Sequence, residues 1–178
     1  MPSEPELLLT TSRFRVVREY QPLANGQTRP REIVRHPGAV VIVPLLDSGE
    51  VCLIRNYRIS VKQTLLELPA GTLEPNEPPI ETAGRELIEE TGFRAAKIFP
   101  LHQFFLSPGI LDERMHAFLA TGLTAGPTAL EAGEEIINEV VPLEVAVGKI
   151  FSGEIQDAKT IAALLMVDHL RRHGQLPR

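Results

Sequence analysis

The chain has 178 residues and a formal net charge of −5, a balance that argues against a general nucleic-acid binder, which carries a basic stripe, yet leaves room for a phosphate ligand whose charge a divalent metal offsets. Hydrophobic residues make up 43% and charged residues 23%, enough apolar material for one domain, expected to span 1–178, with a core of its own. The one cysteine, Cys52, excludes an internal disulfide framework; MPSEPELLLTTSRF lacks the basic start and long apolar core of a signal peptide, and no apolar run approaches ~20 residues, so a cytoplasmic protein without a membrane span is expected.

In chain order, FRVVREY has strand composition and Asn25-Gly26 is a strong hairpin signal, so residues 12–38 are expected to form two strands around a turn. AVVIVPLL, an unbroken β-branched run from Ala39, predicts a strand covered on both faces. Asp47-Ser48-Gly49 turns the chain, and EVCLIRNYR returns as the next strand. TLLELPAG reads as a short strand ending in a Pro-Ala-Gly loop. Pro78-Pro79 suits a helix start, and residues 80–91 follow a helical pattern with Ile80, Ala83, Gly84, Leu87 and Thr91 on one side. Gly92 stands where a C-capping glycine belongs. KIFPLHQFFLSPG and RMHAFLATGL are strand-like, with Ser107-Pro108-Gly109 as the loop between them. GPTALEAGEE is a polar loop, and IINEVVPLE is a further strand that Pro142 ends. The last helix is expected over 157–172, with Ile161, Leu164, Leu165 and Val167 around its apolar stripe. Arg171 and Arg172 fall in its last turn, where they favour the dipole. The sum is a mixed sheet with helices on its faces, α/β or α+β in kind.

Glu86, Glu89 and Glu90 crowd the end of the first helix. Negative charge there opposes the macrodipole by ~0.3–1 kcal/mol, and no lysine is interleaved to offset it. Glu86 and Glu90 stack one turn apart with Glu89 beside them, while Arg85 and Glu89, four apart, can pair. One explanation is a solvated acidic face. The other is a divalent cation, since Mg2+ takes one or two carboxylates together with substrate phosphates and water.

Gly71, Glu77, Arg85-Glu86-Leu87, Glu89-Glu90, Gly92 and Phe93 match the Nudix box, G-x5-E-x7-R-E-U-x-E-E-x-G-U with U apolar, at every position. With each specified residue near ~6% usage, a chance match is on the order of one in ten million, which decides against the solvated face. The chain thus resembles the Nudix hydrolase family along its whole length. The resemblance implies an α/β/α sandwich with a mixed sheet and hydrolysis of a nucleoside diphosphate linked to another moiety. By the family pattern Glu86 and Glu90 are metal ligands. Glu89 is a ligand or stands behind one, and Arg85 and Glu77 orient the helix. The implied cofactor is Mg2+, with Mn2+ as the alternative.

LLELPAGTLE resembles the ADP-ribose and nucleotide-sugar pyrophosphatase branch, in which the backbone carbonyl at the position of Ala70 binds metal. Pro108, sixteen residues beyond Gly92, matches the proline associated with ADP-ribose specificity, although a turn also accounts for it. IRNYR resembles the segment whose arginine contacts substrate phosphate, which points to Arg58, a good bidentate partner unless it is a plain strand-end arginine. Glu67 is implied on the nucleoside side. In this branch a loop glutamate after the box serves as general base or further metal ligand; Glu134 and Glu135 are the candidates, with Glu131 a third register. The branch also implies a homodimer in which N-terminal strands, here within 1–38, cross to the neighbouring subunit. Arg31 and Glu32 would then touch the partner's adenine or ribose, or else decorate an edge strand. The expected reaction is conversion of ADP-ribose to AMP and ribose 5-phosphate. GDP-mannose or another nucleotide sugar is the alternative substrate, and a non-catalytic nucleotide-ribose sensor the alternative class. The expected partners are a small nucleoside diphosphate derivative and a second copy of the chain, with no nucleic acid and no membrane.

Overall fold

The computed structural model describes residues 4–130 and 135–177. The Asn25-Gly26 turn forms as its chemistry dictates. Gly26 takes φ 80°, and the Leu23 N–H donates to the Gln27 carbonyl at 2.8 Å. That closes β2 (Arg15–Pro22) onto β3 (Thr28–Arg35) in an antiparallel register running from Pro22↔Thr28 to Arg15↔Arg35. A third strand, β1 (Glu6–Thr10), adds to β2 and completes a sheet in the order β1-β2-β3. It escapes sequence reading because Leu7, Leu8 and Leu9 run together without the alternation that marks a half-buried strand.

The β-branched run becomes β4 (Ala39–Pro44), buried at every position as expected. It lies inside a four-stranded mixed sheet in the order β7-β4-β9-β8. Its neighbours are β7 (Ala70–Thr72), antiparallel, and β9 (Arg114–Thr124), parallel, with β8 (Arg94–Phe105) outermost. A second sheet, in the order β10-β5-β6, joins β5 (Glu50–Arg58), β6 (Gln63–Glu67) and β10 (Ile137–Pro142).

Alternation along β4 splits the core in two. Val40 and Ile42 pack with Phe118 and Ala120 under Ala83 and Leu87 of α1 (Pro79–Thr91). Val41 and Val43 face the other way. They join Leu53, Leu66 and Leu119, covered by α2 (Leu143–Phe151) and α3 (Ala158–Arg172) through Leu143, Ala146, Leu164 and Val167. The layers are therefore helix, mixed sheet, helices, an α/β/α arrangement. Pro142 does end β10, but it also stands at the N-cap of α2, a helix hidden from sequence reading behind the apolar run that precedes it. No helix among the described residues is long and apolar enough to cross a membrane.

The buried stripe of α1 differs from the expected one. Thr82, Ala83, Leu87, Glu90 and Thr91 are buried, whereas Ile80 is 46% exposed. The helix is rotated so that a carboxylate, and not an isoleucine, points inward. α3 begins at Asp157 as its N-cap, and the inward side carries Lys159 and Thr160, with Leu165 left exposed.

Candidate active site

Pro78 sits in extended conformation before α1 and Pro79 opens it, where a missing N–H costs nothing. Gly92 closes the helix at φ 76°, its N–H donating to the Ile88 carbonyl at 2.8 Å. Only glycine fits there: a Cβ would lie 2.3 Å from the Gly126 carbonyl oxygen. The helix end is thereby held against the chain that follows β9. The Ala129 N–H donates to the Glu89 carbonyl at 3.0 Å, and Asn138 Nδ2 donates to the Thr91 carbonyl at 2.9 Å. These contacts supply partners for carbonyls the helix itself leaves unbonded.

Across from α1, β7 pairs with β4 in the register Val41↔Ala70 and Val40↔Gly71. This brings the Ala-Gly corner under the acidic side of the helix. Glu90, 4% exposed, accepts the Ala70 N–H on Oε2 at 2.9 Å. The Glu86 carboxylate lies over Gly71, where a Cβ would stand 1.9 Å from its carboxyl carbon. The box glycine is thus explained by close approach of a carboxylate to backbone.

Arg85 gathers the remaining acids. Its Nε and Nη2 donate to Glu77 at 3.1 Å each, and its Nη1 donates to Glu86 Oε1 at 2.8 Å and Glu89 Oε2 at 2.9 Å. The hydrogen bond from Arg85 holds Glu77 below the usual carboxylate range, and Glu77 in turn raises the guanidinium of Arg85. One cation therefore sits among three carboxylates in a helix whose last turn has no basic residue.

Glu67 is 1% exposed, and its carboxylate accepts Arg58 Nε at 2.9 Å, Arg58 Nη2 at 2.7 Å and Lys159 Nζ at 2.6 Å. Burial pushes its pKa up, but the two cations outweigh burial and the carboxyl lies below its ordinary range. The residue expected on the nucleoside side thus has both oxygens engaged by Arg58 and Lys159. Arg58 is raised above its ordinary value by Glu67 first, then by the charges of Glu90 and Asp157. Its charge therefore stands within electrostatic reach of the acidic corner.

Arg31 and Pro108 border the same space. Both line a cavity of about 610 Å3 with Gln21, Ile33, Phe105 and Ile110, and Arg31 Nε donates to Gln21 Oε1 at 3.1 Å. Glu32 does not join them. Successive strand residues face opposite ways, and Glu32 pairs with Arg18 Nε at 3.0 Å instead. Glu135 is exposed just before β10, while Glu131 and Glu134 lie outside the described residues.

Among the described residues no three His, Cys, Asp or Glu side chains form a ready metal cluster. What the corner offers is two carboxylates, from Glu86 and Glu90, beside the backbone of Ala70 and Gly71, oxygen donors packed where no Cβ is tolerated. Such a hard, sparse donor set fits a cation of the Mg2+ kind, which keeps several waters and takes the rest of its shell from substrate phosphate. The participants that sequence reasoning missed are Lys159, Asp157 and Asn138. Only Asp157 left a trace, as the first residue of the span expected for the last helix, where the structure makes it the N-cap.

The family model described as the NUDIX domain matches residues 35–164. The chain is 42% identical over 144 residues to an ADP-ribose pyrophosphatase of Bacillus subtilis (strain 168), covering 80% of this chain and 78% of that protein. It is 36% identical over 176 residues to an ADP-ribose pyrophosphatase of Mycobacterium tuberculosis, covering 97% and 85%. A crystal structure described as an ADP compounds hydrolase shares the fold with a TM-score of 0.81 at 24% identity, over 99% of each chain. With an unbroken box, its carboxylates gathered at the Ala70–Gly71 corner and these likenesses, the chain belongs to the NUDIX domain family and is a Nudix hydrolase.

Proposed function

We propose that this chain hydrolyses the pyrophosphate bond of ADP-ribose, giving AMP and ribose 5-phosphate, with Mg2+ as cofactor and Mn2+ able to replace it. The observation that carries the reading is the convergence of Glu86 over Gly71 with Glu90 on the Ala70 N–H. Both relatives described above are named for this substrate, and Arg31 and Pro108 share a cavity large enough for a nucleobase. Glu86, Glu90 and the main-chain oxygen of Ala70 would hold the metal, which when bound neutralises charge on the diphosphate and makes water a better nucleophile. Arg58 binds a phosphate oxygen. Arg85 fixes Glu89 and Glu77 so that the helix presents Glu86 and Glu90 at a constant height. A glutamate among Glu131, Glu134 and Glu135 takes the proton from the attacking water. The water oxygen bonds to one phosphorus, the bridging P–O bond breaks, and the departing phosphate leaves with the bond's electron pair.

The reading is tested by a panel of ADP-ribose, GDP-mannose and other nucleotide sugars with Mg2+, scoring released nucleoside monophosphate. AMP from ADP-ribose at the highest kcat/KM is expected. Faster cleavage of GDP-mannose would overturn the substrate and keep the class. Binding of ADP-ribose with no AMP released would turn the protein into a sensor. Glu90→Gln should lower kcat by about a thousandfold with the fold intact, as loss of a metal-holding carboxylate implies.

A homodimer completes the proposal. Leu7, Leu8 and Leu9 on β1 are 58%, 39% and 50% exposed, an apolar strand suited to a second copy. Light scattering should give twice the chain mass, and Leu7→Lys with Leu9→Lys should halve it.

A further inference from the structure

The N-terminus of α3 reaches the acidic corner through a continuous chain of polar contacts. Asp157 caps the helix, accepting the Thr160 N–H on Oδ2 at 3.0 Å, and its Oδ1 pairs with Lys159 Nζ at 2.9 Å. Lys159 Nζ donates to Glu67 Oε2 at 2.6 Å, and Glu67 grips Arg58 with both oxygens. One residue on, the Leu68 N–H donates to Thr160 Oγ1 at 2.8 Å. Two further on, the Ala70 N–H holds Glu90. The first turn of α3 thus fixes Glu67 and Leu68, and with them the short stretch that leads to Ala70.

A buried lysine aimed at a carboxylate that already has a bidentate arginine is not needed to satisfy that carboxylate. Its geometry has another consequence. Lys159 is itself balanced by Asp157, so the four groups together are neutral and Lys159 adds no net charge. What it adds is a second anchor: held from the first turn of α3, Lys159 pins Glu67 Oε2, and the pinned carboxylate fixes the plane of the partly exposed Arg58 guanidinium for a phosphate. We infer that Lys159 is a positioning residue for substrate binding, acting through Glu67 to hold the Arg58 guanidinium in one orientation beside the acidic corner. The inference rests on the reading of Arg58 as a phosphate contact.

The test measures ADP-ribose hydrolysis by Lys159→Met, Arg58→Gln and the double variant, with circular dichroism and thermal unfolding for each. Each single change should raise KM about tenfold with kcat within about twofold, the pattern of lost uniform binding to a charged group. The double variant should be no worse than Arg58→Gln, because both act through one contact. Lys159→Arg should bring KM back to within about threefold of wild type, since it restores a cationic donor to Glu67. A packing role for Lys159 would lower the unfolding temperature and leave KM alone. If folded Lys159→Met keeps a wild-type KM while Arg58→Gln loses affinity, or if the two losses multiply, the relay is overturned and the phosphate role of Arg58 stands. A wild-type KM in Arg58→Gln overturns that role and the relay with it. Should Lys159→Met fail to fold, Asp157→Asn retains an N-cap and removes only the anchor of Lys159; it should raise KM about threefold, and an unchanged KM would overturn the relay.

Discussion

A Cβ placed on Gly71 would stand 1.9 Å from the carboxyl carbon of Glu86, so Gly71→Ala displaces that carboxylate without touching the helix that carries it. Loss of kcat by about 100-fold with a raised Mg2+ requirement is the expected outcome, the scale seen when the support of a metal ligand is removed. The unfolding temperature should move little, because Gly71 lies in β7 without needing a positive φ. Titrating activity against Mg2+ in both proteins checks this, and unchanged metal dependence would show that Glu86 does not depend on the approach. Glu67 makes a different prediction at the same scale. Its folded pKa is depressed, so its stabilisation is complete above the unfolded value of ~4.3 and is lost as pH falls through the folded value. Glu67→Gln leaves Arg58 and Lys159 facing a neutral amide, at a cost of about 3 kcal/mol near pH 7. Denaturant unfolding at pH 7 and at pH 3.5 should show that deficit shrinking in acid, where Glu67 of the unfolded chain takes up a proton that the folded carboxylate resists. A deficit independent of pH would mean packing, and not ionisation, dominates.

Elements explain why so much of the site can be read from the chain and why some of it cannot. The acidic helix is local: Arg85, Glu86, Glu89, Glu90 and Gly92 meet through helical spacing alone, and Arg85 does pair with Glu89 as that spacing predicts. The link from Glu67 to Lys159 spans 92 residues and depends on how α3 docks, so no spacing rule exposes it. β7 is equally opaque, because three residues, Ala-Gly-Thr, carry no periodicity and become a strand only by pairing with β4. The helix C-terminus also depends on a partner distant in sequence. Gly92→Ala forces a left-handed φ on a residue with a Cβ, costing about 1–2 kcal/mol, and drives that Cβ into the Gly126 carbonyl. The expected result is a lower unfolding temperature together with a fall in kcat exceeding that of Glu89→Ala, because residues 126–129 lead into the segment that carries Glu131 and Glu134. A stability loss with wild-type kcat would separate the helix end from catalysis.

At the scale of the whole molecule, the question is how the β1-β2-β3 sheet is joined to the layers that hold the acidic corner. The junction runs through the segment that bears Pro108. The Val34 N–H donates to the Ile110 carbonyl at 2.8 Å, and the Asp112 N–H donates to the Val34 carbonyl at 3.1 Å. Asp112 then ties both sides with its carboxylate, accepting Arg35 Nη1 at 2.8 Å and the His36 N–H at 2.8 Å, while Glu19 takes the other arm of Arg35. Arg31 lines the cavity from one side of this junction and Pro108 from the other, so its shape depends on the tie. Asp112→Ala should therefore raise KM for ADP-ribose more than it lowers kcat, with a stability cost of about 1.5–3 kcal/mol for hydrogen bonds to a charged group. The carboxyl of Asp112 lies below its usual range, because Arg35 and the His36 N–H outweigh the effect of burial. Its contribution is thus present above the unfolded pKa near ~3.9 and fades as pH drops below it, so wild type and Asp112→Ala should converge in stability in acid. Saturation kinetics and denaturant unfolding check both halves. A KM that stays at the wild-type value while stability falls would show that the cavity keeps its shape without the junction, and that the N-terminal sheet serves assembly alone.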